Sequence, residues 1–271
     1  HIAAEGEYTS HLATHAARKA LEAVGYDSEA IDGIIVATTT PDSTMPSVAT
    51  KVQAALGITK GAALDVAAAC TGFVYALSVA HGWIQTGIAT RVIVIGAECM
   101  SRIVDWKDRG TCVLFGDGAG AVILKADNEA GIIASKLHTD GAYYNELYVD
   151  GGASQSSVGV LKMHGKEVFK HAVEKMSGSI LEVLEGSNYS LADVNWLIPH
   201  QANLRIMDSI AQRIGIDKNK VMITVESHAN TSAASIPLAL ATNIEKVKKD
   251  DLCVLTALGG GFSWGSVLLK F

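Results

Sequence analysis

Short apolar runs alternate with amphipathic stretches along the chain. The segment from Ser10 to Val24 places its apolar residues on one helical face and ends at Gly25, which predicts an amphipathic helix. The run from Gly33 to Ala37 is β-branched and apolar, which is typical of a strand buried on both faces. This alternation predicts an α/β fold with parallel strand pairing.

The same patterns predict the remaining elements. Predicted helices begin at Pro46, within the apolar stretch Val66–Ala80, at Lys166 (ending at Leu184), after Gln201 and at Ser232. Predicted strands cover Ala62–Val66, Arg91–Gly96, Ala119–Leu124, Asn195–Ile198, Leu252–Thr256 and Trp264–Lys270.

The order of elements in the first half is repeated in the second. Cys70 lies about as far beyond the first strand as Asn230 lies beyond the matching strand, so the two residues are predicted to be structural counterparts. A duplicated β-α-β-α-β unit predicts two mixed sheets related by a pseudo-twofold axis, with helices buried between them. We divide the chain into a first half at residues 1–130, a connector at 131–163 and a second half at 164–271.

Composition and charge narrow the classes of protein. Hydrophobic residues make up 49% and charged residues 18%, which supports a large core and excludes intrinsic disorder. The net charge of −6 disfavours a general binder of nucleic acid or anionic membranes. The stretch Val66–Ala80 is too short to span a membrane, and no leader opens the chain, so we expect a cytoplasmic protein.

No metal or disulfide site is predicted. The four cysteines lie far apart and form no CxxC motif, which argues against a zinc knuckle or a disulfide scaffold. His11 and His15 share a helical face, but no third ligand is evident, so a solvated face is the better interpretation. No G-x-G-x-x-G motif occurs, which argues against a dinucleotide site.

Cys70 is the candidate nucleophile. It lies at a predicted strand-to-helix junction, where the positive end of the helix dipole is expected to lower its pKa. The neighbouring alanines and glycine leave room for a substrate. For a lone cysteine, however, a role as a small buried hydrophobe is the more common interpretation.

His200 and Asn230 are candidate partners of Cys70. His200 follows a buried strand at its carboxyl end, where open α/β sheets place their sites, although a lone histidine is more often structural. Asn230 is equally consistent with a helix N-cap. Because the duplication directs the Cys70 and Asn230 loops toward one cavity, the three residues together indicate acyl transfer.

Four motifs carry a family resemblance: Asp65–Phe73, Pro199–Asn203, Asn230–Ser235 and Gly259–Ser266. They closely resemble β-ketoacyl-acyl-carrier-protein synthase III, the thiolase-fold enzyme that starts type II fatty acid synthesis, and the similarity runs in order from His1 to Phe271. The resemblance implies a five-layer α-β-α-β-α arrangement. It also implies CoA and acyl-carrier-protein thioesters as substrates, with no cofactor or metal.

The resemblance implies a Cys-His-Asn triad. Cys70 would accept an acyl group, with acetyl as the expected one, from acyl-CoA, and malonyl-acyl-carrier protein would then decarboxylate and attack it. His200 Nε2 and Asn230 Nδ2 would donate hydrogen bonds to the oxygen that gains charge during decarboxylation. The backbone N–H groups of Cys70 and Gly260 would hold the second oxyanion, because glycine lets a backbone amide approach a ligand.

Further positions match the family's binding residues. Arg109 resembles the arginine that packs on the CoA adenine, although a solvated charge is the alternative. Met45 falls where relatives carry a residue that reaches into the partner subunit, which implies a homodimer. Acyl-pocket or tunnel positions are matched by Met45, Met100, Phe115, Leu147 and Phe169, and carrier-protein positions by Lys170, Gln201, Arg205 and Arg213.

One departure and two alternatives accompany the resemblance. The family has a leading segment, with a first β-strand and a CoA-binding tryptophan and arginine, before the point that matches His1, so we expect a truncated, processed or partial chain. The first alternative is a related enzyme that joins acyl-Cys70 to a nucleophile of secondary metabolism. The second is an inactive form that serves only as a dimer partner.

Overall fold

Helices and strands alternate through the computed structural model, which describes residues 1–129 and 131–271. The helices are α1 (Thr9–Val24), α2 (Val48–Ala55), α3 (Gly72–Gln85), α4 (Gly165–Leu184), α5 (Leu204–Ile214), α6 (Val225–His228) and α7 (Ser235–Thr242). The strands are β1 (Gly33–Ala37), β2 (Ala62–Val66), β3 (Arg91–Cys99), β4 (Asp117–Lys125), β5 (Gly131–Thr139), β6 (Leu147–Val149), β7 (Leu161–Met163), β8 (Trp196–Pro199), β9 (Leu252–Gly259) and β10 (Ser263–Lys270).

The strands form two mixed four-stranded sheets and a small hairpin. The first sheet has the order β2-β1-β3-β4, with β1 parallel to β2 and β3 and with β4 antiparallel to β3. The second has the order β5-β10-β9-β8, with β8 parallel to β9 and with β10 antiparallel to both neighbours. Strands β1, β3 and β4 therefore match β8, β9 and β10, as a duplicated unit requires.

The helices and sheets form five layers, which pack together through three hydrophobic cores. Helices α3 and α7 pack between the sheets, α1 and α2 cover the outer face of the first sheet, and α4 and α5 cover the outer face of the second. In β1, Ile35 and Ala37 face the central helices, whereas Ile34 and Val36 face α1 and α2. Both faces of the strand are buried, which explains its unbroken apolar run. The predicted α/β fold, with two mixed sheets and helices buried between them, is confirmed.

Several element boundaries differ from the sequence prediction. The predicted connector begins with β5, which pairs along β10 and so belongs to the second sheet, while β6 and β7 form the hairpin. Helix α2 begins at Val48, after an N-cap at Ser47, and thus two residues beyond the predicted start at Pro46. The small-residue helix begins with a 3₁₀ turn at Ser232 before α7. The division at residues 130 and 163 stays a prediction.

The turn before α7 packs directly on the first sheet. A β-carbon at Gly96 of β3 would overlap the carbonyl group of Ala233. Glycine is therefore required where the second half's central helix approaches the first half's central strand. This close approach brings the loop that carries Asn230 next to the loop that carries Cys70.

Candidate active site

One cavity of about 980 Å³ receives all three residues of the predicted triad. Cys70, His200 and Asn230 contribute to its lining, and each is buried, with between 3% and 6% of its surface exposed. The volume is within the range of small-molecule sites, which is about 300–1,000 Å³. The structure thus brings together two loops and a strand end that are up to 160 residues apart in sequence, as the duplication predicted.

Cys70 occupies the short turn between β2 and α3. The turn is a 3₁₀ helix, Ala69–Thr71, and α3 follows it with 14 residues. The pKa of the Cys70 thiol is raised to about 12, mainly by burial and in part by the nearby Glu98 carboxyl group, while a hydrogen bond to the Ser232 side chain acts in the opposite direction. The expected lowering by the helix dipole is therefore wrong for this state, because loss of solvation outweighs it. The resting thiol is neutral.

His200 follows β8 and is held by a neutral partner. Its Nδ1 lies 2.7 Å from the Ser235 hydroxyl oxygen, and burial lowers the pKa of the imidazole to about 4. Its Nε2 makes no hydrogen bond within the described residues. At neutral pH the ring is therefore uncharged, with one nitrogen available to a ligand in the cavity.

The lowered pKa of His200 predicts a measurable loss of stability in acid. The unfolded chain binds a proton near pH 6.5 and the folded chain only near pH 4, so stability falls as the pH falls through this window. Between pH 7 and pH 5 the expected loss is about 2 kcal/mol. Urea unfolding at both pH values should show it in the wild type. His200→Gln should lose about 2 kcal/mol less between the two pH values, and equal losses would contradict the assignment.

Asn230 is fixed at both its backbone and its side chain. Its N–H donates to the Leu114 carbonyl (2.9 Å), and its carbonyl accepts from the Gly116 N–H (3.0 Å). Its Oδ1 accepts from the Ser232 N–H at 2.9 Å, which fixes the orientation of the amide group. Asn230 is not a helix N-cap, because Thr231 holds that position for the 3₁₀ turn at Ser232 and Ala234 holds it for α7. No partner within the described residues accepts from its Nδ2, so this donor is available to the cavity.

Gly259 is a site residue that the sequence analysis did not single out. A β-carbon there would lie 2.7 Å from the Cys70 backbone nitrogen and 3.0 Å from that of Thr71. The predicted oxyanion residue, Gly260, instead lies against Leu147, whose carbonyl oxygen would be 2.6 Å from a β-carbon. The run of three glycines was the available signal, but it does not reveal which glycine contacts the nucleophile's turn.

Gly259→Ala should displace the turn that carries Cys70 and reduce its acylation. Since a misplacement of about 1 Å can cost about 100-fold in rate, we expect a loss of that order. The rate of acyl transfer from acetyl-CoA, followed by intact mass, measures it. Gly82→Ala in α3 is the matched control, because a β-carbon there meets no atom within 4 Å. An unchanged rate in Gly259→Ala would contradict the contact.

Most predicted pocket residues lie at the cavity. Phe115, Leu147, Phe169 and Arg205 contribute to its lining, and the Arg205 guanidinium lies 5.7 Å from the centre of the Phe169 ring. Three other candidates are not part of the lining. Met100 is buried, Met45 is exposed, and Arg109 is exposed between Asp108 and Gly110, which do line the cavity.

The basic candidates and Gln201 have contrasting environments. Lys170, Arg205 and Arg213 are exposed. Gln201 is 1% exposed, and its amide group donates to the carbonyls of Pro199 and Met222 and accepts from the Thr224 N–H. Its burial is at odds with the predicted contact to a carrier protein. The side chain instead holds the loop that carries His200.

Glu98 is a second group that the sequence analysis missed. Its carboxyl group is completely buried and accepts from the backbone N–H groups of Thr39 and Thr40 (both 3.1 Å) and from the hydroxyl groups of Thr38 and Thr39 (3.2 and 3.0 Å). Burial raises its pKa. A single acidic residue near the end of an apolar strand was the signal that could have identified it.

Metal-binding clusters and membrane-spanning helices are both absent from the described residues. No group of three or more histidine, cysteine, aspartate or glutamate side chains among them is arranged to hold a metal ion. In the same part of the chain, no helix combines the length and apolar character that crossing a membrane requires.

Comparisons with known proteins agree on one family. Models of the 3-oxoacyl-acyl-carrier-protein synthase III family match residues 64–141 and, for its C-terminal part, residues 184–271. A β-ketoacyl-acyl-carrier-protein synthase III from Ruegeria sp. (strain TM1040) is 52% identical over 279 residues, which cover 100% of this chain and 86% of the relative.

Solved structures give the same result. The 3-oxoacyl-acyl-carrier-protein synthase III from Aquifex aeolicus superimposes with a TM-score of 0.95 at 44% identity, over 100% of this chain and 86% of that one. The priming β-ketosynthase of the R1128 polyketide pathway superimposes with a TM-score of 0.94 at 31% identity, over 100% of this chain and 84% of that one.

Proposed function

The chain belongs to the β-ketoacyl-acyl-carrier-protein synthase III family, and from this premise we propose roles for its cavity residues. It is a condensing acyltransferase that initiates fatty acid synthesis. Enzymes of this family act on CoA and acyl-carrier-protein thioesters. The observation that carries the proposal is the shared cavity, whose lining includes a buried thiol, an imidazole and an amide group, with His200 Nε2 and Asn230 Nδ2 unpaired within the described chain.

In the first half-reaction, the acyl group moves from CoA to Cys70. The Cys70 sulfur forms a bond to the acyl carbon, the bond from that carbon to the CoA sulfur breaks, and the thiol proton leaves with CoA. Because the resting thiol is neutral, its proton must be removed as the bond forms. The backbone N–H groups of Cys70 and Gly260 are the proposed donors to the tetrahedral oxyanion.

In the second half-reaction, malonyl-acyl-carrier protein loses CO₂ and condenses. The electrons of the broken C–C bond move toward the thioester oxygen, and His200 Nε2–H and Asn230 Nδ2–H donate to that oxygen. The resulting carbanion attacks the acyl carbon on Cys70, and the Cys70 sulfur leaves as a thiolate, which takes up one proton from water to restore the resting thiol. The products are 3-oxoacyl-acyl-carrier protein, CO₂ and, from the first step, CoA.

The remaining candidates receive roles from their positions. Arg109 flanks the cavity and is the proposed contact for CoA. Lys170, Arg205 and Arg213 are exposed cations, and we propose that they attract an acidic carrier protein, with Arg205 at the cavity itself. Buried Gln201 is not part of this surface. Phe115, Leu147 and Phe169 would contact the acyl chain or the thioester arm.

We also propose that the protein acts in the cytoplasm as a homodimer. Met45 is 79% exposed although it is apolar, and β2 is an edge strand of the first sheet. An exposed apolar side chain and an unpaired strand edge are features that a second copy of the chain would cover.

The function is tested by a complete reaction. The protein is incubated with acetyl-CoA and malonyl-acyl-carrier protein, and 3-oxobutyryl-acyl-carrier protein is measured by mass spectrometry. Product formation that requires both substrates is the expected result. Acylation of Cys70 without consumption of malonyl-acyl-carrier protein would favour the secondary-metabolism alternative, for which the R1128 priming enzyme is a structural neighbour. A folded protein that forms neither acyl-enzyme nor product would overturn the assignment.

A further inference from the structure

Ser235 is the only side chain that makes a hydrogen bond to His200 in the described part of the chain. It is the first residue of α7, is 2% exposed, and lies with its Oγ 2.7 Å from His200 Nδ1. The backbone N–H of Gln201 donates to the same oxygen at 3.3 Å. The hydroxyl group therefore lies between the functional imidazole and the next residue's amide.

The position of the Gln201 amide is itself fixed. The Gln201 side chain bonds to three backbone groups on both sides of the loop: the carbonyls of Pro199 and Met222 and the N–H of Thr224, at 2.7–3.0 Å. Because a backbone N–H can only donate, Ser235 Oγ must accept from Gln201. The acceptor of the Ser235 hydroxyl proton remains to be assigned.

Counting donors selects one tautomer of His200. Within the described residues, Nδ1 is the only acceptor in hydrogen-bond contact with the Ser235 hydroxyl. If Nδ1 carried the proton, the oxygen would accept twice and its own O–H would be buried without an acceptor, which is unfavourable. If Nδ1 is unprotonated, the Ser235 O–H donates to it. The Gln201 N–H, the Ser235 hydroxyl group and His200 Nδ1 then all have hydrogen-bond partners.

We infer that Ser235 is a positioning residue that holds neutral His200 as the Nε2–H tautomer, ready to donate to the thioester oxygen. This inference rests on the proposed function of His200. A neutral hydroxyl partner suits this task better than a carboxylate, because a carboxylate would bind the Nδ1–H form and stabilise the imidazolium ion. Gln201 supports Ser235 by filling one of its acceptor positions.

The Nε2–H tautomer of His200 predicts different effects on the two half-reactions. With Nε2 protonated, His200 donates toward the cavity and does not accept the proton of the Cys70 thiol. Loss of the Ser235 hydroxyl should therefore slow decarboxylation of malonyl-acyl-carrier protein and spare acyl transfer to Cys70. In other enzymes, removing a group that orients a functional side chain costs about 10- to 10⁴-fold, and we expect a loss within this range.

The tautomer can be observed without any activity measurement. Long-range ¹H–¹⁵N correlation spectra of the histidine-labelled protein at neutral pH report which ring nitrogen carries the proton, with His200→Gln used to assign the signals. We expect a protonated Nε2 and an unprotonated Nδ1 for His200 in the wild type. A protonated Nδ1 would overturn the inference, whatever the kinetics show.

Three variants complete the test. Ser235→Ala should lose decarboxylation and keep acylation, while Ser235→Thr retains a hydroxyl group and should restore most of the rate. Ser177→Ala is the matched control, since Ser177 is equally buried but its hydroxyl has no partner in the described chain. A wild-type rate of decarboxylation in Ser235→Ala, or an equal loss of both half-reactions, would overturn the inference. Failure of the wild type itself to decarboxylate the substrate would instead refute the proposed function.

Discussion

Cys70→Ala should abolish acyl transfer from acetyl-CoA and, with it, condensation. The alanine side chain has no atom that can form the thioester, and removing the nucleophile of a covalent mechanism can cost on the order of 10⁶-fold in rate. Intact mass after exposure to acetyl-CoA should show one acetyl group on the wild type and none on the variant. The rate of 3-oxoacyl product formation should fall to the background.

Two other cysteines serve as controls for this experiment. Cys253 in β9 is completely buried, and burial together with the Asp251 charge raises its pKa to about 12, as for Cys70, but it lies outside the cavity. Cys253→Ala should therefore keep the adduct. Cys112 is more exposed than either, so a general thiol reagent should favour it, whereas acetyl-CoA should not. An acetyl adduct that persists in Cys70→Ala would refute the assignment.

Asn230→Asp should reduce decarboxylation of malonyl-acyl-carrier protein by about 10²- to 10³-fold, the usual cost of one oxyanion donor. The substitution is nearly isosteric, and an oxygen at the Oδ1 position can still accept from the Ser232 N–H. The donor at Nδ2 is replaced by an acceptor that repels the developing negative charge. The rate of CO₂ release, with acylation of Cys70 measured in parallel, isolates this step.

Asn243→Asp is the control for burial of an extra carboxyl group. Asn243 is 8% exposed, follows α7 and lies outside the cavity. Its variant should keep the rate of CO₂ release among the molecules that fold. If Asn230→Asp decarboxylates the substrate at the wild-type rate, Asn230 does not donate to the thioester oxygen.

Much of this arrangement could be predicted from the sequence. The strand and helix order, the duplication and the convergence of Cys70 with Asn230 depend on periodicity and spacing, which are local properties of the chain. The buried β1 run, from Gly33 to Ala37, is reproduced residue for residue. The first residues of α2 and α7 differ from the prediction, because capping groups rather than periodicity decide where a helix begins. Strand β5, in the predicted connector, pairs with β10 in the second sheet.

What the sequence did not predict depends on contacts between distant segments. The pKa of Cys70 follows from its burial, which outweighs the dipole of its own helix. Gln201 follows a histidine at a strand end and its position suggested exposure, yet three backbone groups hold it inside. Ser235 and His200 are 35 positions apart in the sequence, so no local pattern predicts their contact.

The shared central layer has a consequence for motion. Helices α3 and α7 come from different halves of the chain, and both contribute to one core between the sheets. The halves therefore lack the sparse, polar boundary along which domains hinge, and separating them would expose that core to water. We therefore expect motion during substrate binding to be confined to side chains at the cavity wall and not to involve a hinge between the halves. Acyl chains of different lengths would be accommodated by rotamers of side chains such as Met176, Leu147 and Phe169, within a frame that stays rigid.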